Sequence, residues 1–401
     1  MTAITVTPRP VRRDERDYSL STPLMGGGMV PGFPDLAFPV SGKAVRGQLR
    51  FWWRALRGGQ FGGSLAAMRD AERALFGGAS DTDAKGTVSA VQITVVPDQN
   101  SATQEEEVPG LNTAIGYLAF ALRDAQHPVS RASPKLLQGV RFRLGVSVEP
   151  LNLPPGHSES WAWQELEAAL WGLETCGGIG ARTRRGFGAL QRRPAPEGAL
   201  EDLVMAGLRR HLTPGVWPGG VPHLTMDAAD WAFGTQAGNT ARAVWEGQAR
   251  KLKVFRRATH NGEDRGATLW PESDSLLALQ DGEPGPYPFP RAALGLPIVF
   301  GKGGNDVNGK DVQRLASPVL FRPVQLGERY SSLAFRLRSE PAPGDPLAPE
   351  GRLVVRAGKR AHEGQRHQLT PAEARAVSVL ETAGTVTTDV AAALLNAFRR
   401  S

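Results

Sequence analysis

Apolar side chains recur at every second position in two stretches of the first half of the chain. Residues 91–95 alternate in this way, and residues 140–148 do so more strongly, with Phe142 on the apolar side and Arg141 on the polar side. A period of two is typical of a half-buried strand, whose successive side chains point to opposite faces of the sheet. The pattern therefore predicts strands over both stretches, and a further short strand is expected over 187–191.

Apolar residues at helical spacing predict three helices among these strands. Residues 43–57 and 64–76 have this spacing, and Ser64 is a suitable N-cap for the second of the two helices. Ser160 is expected to cap the third helix, which should end where the glycines start, at Gly177.

The second half of the chain shows weaker patterns of the same two kinds. They predict a helix near 238–256 and a terminal helix over 371–399 that is interrupted near Gly384. Short strands are expected near 296–300, 318–324 and 331–338.

Helices that alternate with antiparallel-style strands favour an α+β fold over a doubly wound parallel sheet. We therefore expect two tandem ferredoxin-like domains, of the kind also seen in RNA-recognition motifs, with a glycine-rich loop in the first domain. The proline-rich stretch 193–223 is the candidate boundary. The expected division places one domain at 1–200 and the other at 201–401.

Composition narrows the protein class. Hydrophobic residues make up 41% of the 401 residues, which is enough to bury sizeable cores. A single cysteine, Cys176, excludes an intramolecular disulfide framework. Because no apolar run reaches about 18 residues and no secretory signal is visible, we expect a cytoplasmic protein without a membrane partner.

The net charge of +7 is mild, but its distribution is uneven. Residues 41–60, 181–193 and 250–257 are rich in arginine and lysine and contain no acid; we refer to them as the first, second and third basic clusters. If they converge in the fold, they form one positive surface suited to a polyanion.

The first basic cluster lies on the first predicted helix. Its cations Arg46, Arg50, Arg54 and Arg57 fall within an arc of about 80°, next to an apolar stripe, and Lys43 precedes them. Guanidinium groups match the geometry of phosphates, so these cations are candidate RNA contacts. The alternative is that some of them pair with carboxylates elsewhere in the fold.

Two other features of this helix lead to expectations about packing. A glycine at position 47 weakens a helix by about 1 kcal/mol relative to alanine, and a close approach by another backbone would explain it. Trp52 and Trp53 are expected to be core residues, with base stacking as the less favoured alternative.

The second signal is the glycine–arginine loop, residues 177–188, with the sequence Gly-Gly-Ile-Gly-Ala-Arg-Thr-Arg-Arg-Gly-Phe-Gly. Glycines permit positive φ and close approach of a ligand to backbone N–H groups, and the arginines add charge. The combination suits a sugar–phosphate backbone. Its candidate contacts are Gly178, Gly180, Arg182, Arg184 and Arg185. A plain turn with solvated arginines is the alternative.

Sequence motifs for cofactors and catalysis are missing. The dinucleotide fingerprint would require a third glycine where Thr183 stands, and no zinc-binding or serine-nucleophile pattern occurs. We expect no cofactor, no metal and no catalytic residue. A metal-free ribonuclease leaves no motif, however, and His260, beside the third basic cluster, is the first candidate for such a role.

Residues 41–54 and 177–188 together resemble the RAMP proteins of CRISPR systems, and more narrowly the first-numbered RAMP subunit of the type III-B (Cmr) effector complex. In that family the helix has roughly the sequence I-K/R-G-x-L-R-F-W-W-R, which residues 45–54 match closely. Further similar segments lie at 21–28, 295–300 and 314–320. Arg13–Asp17 and Pro341–Pro349 have no counterpart among the family motifs.

The resemblance implies two ferredoxin-like domains and a subunit at the 3′ end of the guide RNA. It also implies neighbouring RAMP subunits and target RNA as partners, with nuclease activity residing in other subunits. Carried over residue by residue, Arg46, Arg50 and Arg54 of the helix and the three arginines of the loop become RNA contacts. The competing hypotheses are a RAMP-type endoribonuclease that processes guide RNA, and a protein-interaction scaffold with incidental basic loops.

Overall fold

The computed structural model describes most of the 401 residues. The described ranges are 12–80, 86–123, 126–130, 132–234, 238–259, 268–301, 304–312 and 314–399. His260, the candidate for a ribonuclease role, lies outside them.

The strands form antiparallel sheets throughout. In chain order they are β1 (Arg13–Leu20), β2 (Leu24–Met25), β3 (Val91–Pro97), β4 (Gln104–Glu107), β5 (Lys135–Gln138), β6 (Arg141–Val148), β7 (Leu190–Arg193), β8 (Trp231–Phe233), β9 (Ile298–Phe300), β10 (Asn305–Gly309), β11 (Val319–Leu326), β12 (Arg329–Arg336), β13 (Leu353–Ala357), β14 (Arg360–Gln365), β15 (Glu381–Thr382) and β16 (Thr385–Val386).

The α-helices lie between these strands. They are α1 (Gly42–Arg57), α2 (Leu65–Phe76), α3 (Ala114–Leu118), α4 (Phe120–Arg123), α5 (Glu159–Cys176), α6 (Leu200–His211), α7 (Ala241–Arg257), α8 (Glu272–Gln280), α9 (Pro371–Arg375) and α10 (Val390–Arg399). None of the described helices is long and apolar enough to cross a membrane.

The first sheet has the strand order β3-β6-β1-β7. Helices α1 and α2 connect β1 to β3, and α5 connects β6 to β7, which is the β-α-β-β-α-β connectivity of ferredoxin-like folds. The predicted alternation is confirmed, because Phe142 and Leu144 of β6 are buried while Arg141 and Arg143 are exposed. The predicted α+β class with antiparallel sheets is therefore confirmed.

The boundaries of α1 and α2 agree with the predictions within one residue. Ser64 caps α2 as expected, since its hydroxyl accepts from the Ala67 amide at 3.2 Å. The N-cap of α5 is Ser158, whose hydroxyl accepts from the Trp161 amide at 3.1 Å. Ser160 instead lies inside the first turn, so the predicted N-cap is two residues too late.

The second half contains a three-stranded sheet of order β11-β12-β8 and a four-stranded sheet of order β14-β13-β10-β9. The predicted interruption of the terminal helix near Gly384 is confirmed, but it is longer than expected. A short helix, α9, is followed by the hairpin of β15 and β16, and only α10 is a long helix. Gly384 sits in the hairpin turn with φ of 78°, a conformation that favours glycine and ends helical backbone.

The two halves share part of one hydrophobic core. Trp231 and Phe335 of the three-stranded sheet belong to the same buried cluster as Trp52 of α1, and the rings of Trp52 and Phe335 are 6.2 Å apart. Helix α6 begins at the predicted boundary, and its Gly207 lies directly against the ring of Trp171 of α5. The division at 200 stays a prediction.

Candidate nucleic-acid interface

Helix α1 carries the first basic cluster on one side and core residues on the other. Its N-cap is Ser41, whose hydroxyl accepts from the Ala44 amide at 3.1 Å. Trp52 and Trp53 are buried, which confirms that they are core residues. The indole of Trp53 donates to Glu165 at 2.6 Å, so a buried carboxylate of α5 fixes this face of the helix.

Two arginines of the helix share one acid. Arg50 Nε and Arg54 Nη1 lie 2.5 and 2.7 Å from the same carboxylate oxygen of Glu72 on α2. Glu72 is only 3% exposed, so this carboxylate needs the cations that surround it. The expected alternative, pairing with carboxylates elsewhere in the fold, is therefore present at Arg50 and Arg54.

Arg57 is tied into the core even more tightly. Its Nη2 and Nε donate to Glu165, with the shortest distance 2.6 Å, and Glu165 is fully buried. A bidentate guanidinium–carboxylate pair of this kind holds α1 against α5. The primary task of Arg57 in the fold is thus structural, while an RNA contact by this residue stays a prediction.

Lys43 and Arg46 remain at the start of the helix. Among the described residues, no carboxylate pairs with either of them, and both line a surface depression of about 600 Å³ together with Ile93. Gly47 faces open space beside them, with no described atom within 4 Å of the position where a Cβ would stand. The expected close approach of another backbone at Gly47 is therefore wrong within the described part of the chain.

The glycine–arginine loop joins α5 to β7 and packs against β2. A Cβ on Gly180 would lie 2.5 Å from the side chain of Leu24 and 2.8 Å from the carbonyl oxygen of Met25. At Gly178 a Cβ would meet the Gly188 carbonyl oxygen at 2.7 Å. These glycines thus permit close packing within the chain itself, and their predicted RNA contacts stay predictions.

The arginines of the loop lie in a partly enclosed environment. Arg184 Nη1 donates to the carbonyl oxygen of Ser317 at 2.7 Å, and its guanidinium lies 5.4 Å from the ring centre of Phe51 on α1. The Arg185 carbonyl accepts from the Trp245 indole at 2.8 Å, while its own Nη1 is buried with no hydrogen-bond partner in the described structure. No described carboxylate pairs with Arg182, Arg184 or Arg185.

The pKa values of all three loop arginines are lowered. Burial lowers the pKa of Arg184 to about 10. Burial, followed by repulsion from Arg256, lowers the pKa of Arg185 to about 9. Burial lowers the pKa of Arg182 as well, with further contributions from Arg256 and Arg314. A guanidinium whose pKa falls in this way is surrounded by protein and by like charge.

The basic clusters therefore converge in part. The charge of Arg256, in the third cluster, contributes to the lowered pKa of Arg182 and Arg185, in the second. Lys251 and Lys253 of the third cluster instead donate to backbone carbonyl groups elsewhere, at Phe398 and Asn112. The sequence of 250–257 predicted one basic cluster, but in the fold its side chains point to different parts of the protein.

Two arginines that act on the loop were not predicted, because each stands alone in the sequence. The charge of Arg314 contributes to the lowered pKa of Arg182. Arg322 is the other. It is 2% exposed and donates to the carbonyl oxygens of Glu174 and Gly177 at 3.0 and 2.5 Å, and also to Leu190. A lone arginine in an apolar strand gives no signal that it will bind both ends of a distant loop.

The described ranges were also searched for metal-binding side chains and for a reactive thiol. They contain no group of three His, Cys, Asp or Glu side chains placed to hold a metal ion. Cys176 is buried at the end of α5, and burial raises the pKa of its thiol to about 12. Such a thiol is not ionised at neutral pH.

The part of the chain that contains the first sheet matches a known protein family. Residues 17–191 match the family model of the RAMP superfamily, a span that runs from β1 to β7 and includes both α1 and the glycine–arginine loop. The resemblance drawn from 41–54 and 177–188 is thus confirmed over that span.

Two relatives come from Pyrococcus furiosus. The chain is 26% identical over 178 residues to the CRISPR system Cmr subunit Cmr1-2, covering 44% of this chain and 92% of that relative. It is 27% identical over 177 residues to Cmr subunit Cmr1-1, covering 43% of this chain and 44% of that relative. The crystal structure of Cmr1 from the same organism in its apo form is similar in fold, with a TM-score of 0.51 at 19% identity, over 89% of this chain and 99% of that one.

Proposed function

We propose that this protein is a non-catalytic RNA-binding subunit of a type III-B CRISPR effector complex. In this proposal it acts in the cytoplasm in antiviral defence and contacts the 3′ end of the guide RNA, target RNA and neighbouring RAMP subunits. The observation that carries the proposal is the group of arginines in the glycine–arginine loop, which are partly buried and have no described carboxylate partner.

A buried cation without a counter-ion is costly, and proteins usually pair such a group or move its pKa. Here the pKa values of Arg184 and Arg185 fall, yet at about 10 and about 9 both groups stay protonated at neutral pH. The charge is therefore present and available to an anion that approaches the loop. A phosphate group provides the acceptor oxygens that guanidinium donors match best.

The relatives support the choice of complex, since both are Cmr subunits. The tandem ferredoxin-like arrangement is part of the same proposal. In the second half, β8-α7-β11-β12-α10 repeats the order of the first sheet through its first five elements. We assign this segment as the second ferredoxin-like unit, with the sheet of β9, β10, β13 and β14 as an insertion.

Titration of a labelled single-stranded RNA into the full chain tests RNA binding. Arg182→Gln and Arg185→Gln each remove one loop cation, and each variant should weaken binding and lower the slope of log affinity against log salt by about 0.7 for every phosphate that is no longer bound. Arg209→Gln, an exposed cation on α6, is the matched control. Unchanged affinity and slope in both loop variants would contradict the proposal.

The same purified protein tests the non-catalytic role. Labelled CRISPR repeat RNA incubated with the chain, with and without EDTA, should remain intact. Site-specific cleavage that is abolished by His260→Ala would favour the endoribonuclease hypothesis instead. RNA that co-purifies with the native complex should contain guide sequences, whereas a pure protein scaffold would carry none.

A further inference from the structure

We propose that residues 26–39, between β2 and α1, contact the bases of the RNA strand whose phosphates the glycine–arginine loop binds. We refer to this segment as the apolar loop, and the side chains assigned to the bases are those of Met29, Leu36 and Phe38. The inference rests on the proposed function and makes it more specific, because it adds base contacts to a surface argued so far from charge.

The apolar loop exposes three large apolar side chains. Met29 is fully exposed, Phe38 is 65% exposed and Leu36 is 58% exposed. Single exposed apolar residues are common on soluble proteins, whereas several of them on one short segment mark a surface that binds a partner. The chemistry of that partner follows from what surrounds the loop.

Contacts within the apolar loop bring its two arms together. The Gly28 amide donates to the Phe33 carbonyl at 3.0 Å, which closes the tip. A Cβ on Gly28 would lie 3.0 Å from the backbone nitrogen of Asp35, so the arms touch at this point. Met29 follows Gly28 and Leu36 follows Asp35 in the sequence, so both exposed residues stand next to the contact.

The second arm is fixed by a side chain of its own. Asp35 Oδ1 accepts from the amides of Ala37 and Phe38 at 2.9 and 3.0 Å. The rings of Phe33 and His127 lie 5.3 Å apart and nearly perpendicular, which attaches the loop to residues outside it. Three prolines restrict its backbone further. A loop that is fixed in this way loses little conformational freedom when it binds a ligand.

Direct contacts place the first arm against the glycine–arginine loop. The Ala181 amide donates to the Met25 carbonyl, immediately before the apolar loop, at 2.7 Å. A Cβ on Gly26 would lie 3.3 Å from the Cβ of Ala181, the residue that precedes Arg182. Three residues of chain span at most about 11 Å, so the Cα of Met29 is no further than that from the Cα of Gly26.

The second arm leads directly into α1. Phe38 stands three residues before the N-cap of this helix, Ser41, and five before Lys43. Lys43 and Arg46 line the same surface depression as Ser41, and no described carboxylate pairs with either cation. Cations without a described acidic partner therefore lie at both ends of the apolar loop, on the glycine–arginine loop and at the start of α1.

An apolar surface with cations at both ends fits a single-stranded nucleic acid. The phosphates of a strand bind the cations, while the faces of its bases pack on aromatic and aliphatic side chains. A duplex stacks its base faces inside the helix, so unpaired RNA is the form that this surface matches. The one acid of the apolar loop, Asp35, is engaged by two backbone amides of the loop itself.

Two labelled oligonucleotides of equal length separate base contacts from phosphate contacts. One is a single-stranded RNA of mixed sequence, and the other has abasic nucleotides throughout. Each is titrated into the full chain, in the wild type and in Met29→Ala, Leu36→Ala and Phe38→Ala. Leu277→Ala, on α8, is the matched control, because Leu277 is 58% exposed, as Leu36 is. The melting temperature of each variant verifies that it is folded.

Phe38→Ala should bind the intact RNA about tenfold more weakly, or about 1.4 kcal/mol, which lies within the range for one base stacked on an aromatic ring. Met29→Ala and Leu36→Ala should weaken binding by a smaller factor, because an aliphatic side chain has no ring, and Phe38→Trp should retain the wild-type affinity. No charge is removed, so the slope of log affinity against log salt should stay the same. The abasic oligomer should bind all of these proteins equally.

Equal affinity of the wild type and the three alanine variants for intact RNA would overturn the inference and leave a protein subunit as the occupant of the apolar loop. Equal losses with the intact and the abasic oligomer would also overturn it, because the loop would then act on backbone contacts alone. If Arg182→Gln and Arg185→Gln still weakened RNA binding in either case, the proposed function would stand without base contacts. If neither set of variants affected RNA binding, both would fail.

Discussion

The guanidinium of Arg322 donates to the carbonyl oxygen of Gly177 at 2.5 Å, and the two residues lie in different halves of the chain. The same side chain donates to Glu174, at the end of α5, and to Leu190, at the start of β7. One buried arginine of the three-stranded sheet therefore holds both ends of the glycine–arginine loop. The loop is positioned by the second half of the protein as well as by its own sequence.

Arg322→Met should lower the free energy of unfolding by about 2–4 kcal/mol, because it removes a donor from more than one buried carbonyl group. Urea unfolding followed by circular dichroism measures the change, and Arg209→Met on the surface of α6 should change stability little. Equal stability of the two variants would show that the carbonyl groups do not depend on Arg322.

Arg57→Ala should be among the most destabilising substitutions on α1, at about 3 kcal/mol or more, because it leaves the buried carboxylate of Glu165 without a cation. Arg54→Ala is the matched control, since Glu72 keeps Arg50. Chemical denaturation of both variants gives the comparison. Destabilisation of similar size in the two variants would contradict a core role that is specific to Arg57.

Lys43→Ala combined with Arg46→Ala should leave the free energy of unfolding within about 0.5 kcal/mol of the wild type, since neither side chain has a described acidic partner. RNA affinity should fall, and the salt slope should decrease by about 0.7 for each phosphate that the variant no longer binds. Arg69→Ala, an exposed cation on α2, controls for general charge. An RNA affinity equal to that of the control would exclude the start of α1 from the interface.

Gly47→Ala should stabilise the protein by about 0.5–1 kcal/mol, because the new Cβ meets open space and alanine is the better helix former. Gly172→Ala in α5 should do the opposite, since its Cβ would lie 2.8 Å from Leu56 and 2.9 Å from Trp52. Thermal and urea unfolding of both variants tests the pair. Destabilisation by Gly47→Ala would mean that the position is more crowded than the fold indicates.

Stability should decline in mild acid partly through His211. Burial, followed by repulsion from Arg210 and Arg57, lowers the pKa of His211 from 6.5 to about 4. The unfolded state then binds the extra proton between those values, so the free energy of unfolding falls as pH drops from 6.5 towards 4.

His211→Phe keeps the stacking on Trp171, whose ring centre is 5.5 Å away, and removes the titration. The stability difference between wild type and variant should change by about 1–2 kcal/mol across this pH window, after allowance for partial exposure. Denaturant unfolding at several pH values measures it. A difference independent of pH would show that His211 is not responsible.

Local patterns in the sequence were sufficient for much of the first sheet. Alternation located β3 and β6, and helical spacing with Ser64 as a cap located α1 and α2. The interruption of the terminal helix near Gly384 was predicted, but its extent was not, because an apolar run of helical spacing also fits a short helix, a hairpin and α10. The secondary structure of such a run depends on the surfaces against which it packs.

The sequence alone was sufficient to locate the cations on α1 and on the glycine–arginine loop. Both segments are rich in arginine and contain no acid, and this can be read from each segment by itself. Only the tertiary structure decided which cations are neutralised. Glu72 and Glu165 come from α2 and α5, so their pairing with Arg50, Arg54 and Arg57 depends on how helices pack. The effect of Arg256 on the pKa values of Arg182 and Arg185 has the same origin: electrostatic interactions act through space, whereas sequence patterns record only neighbours along the chain.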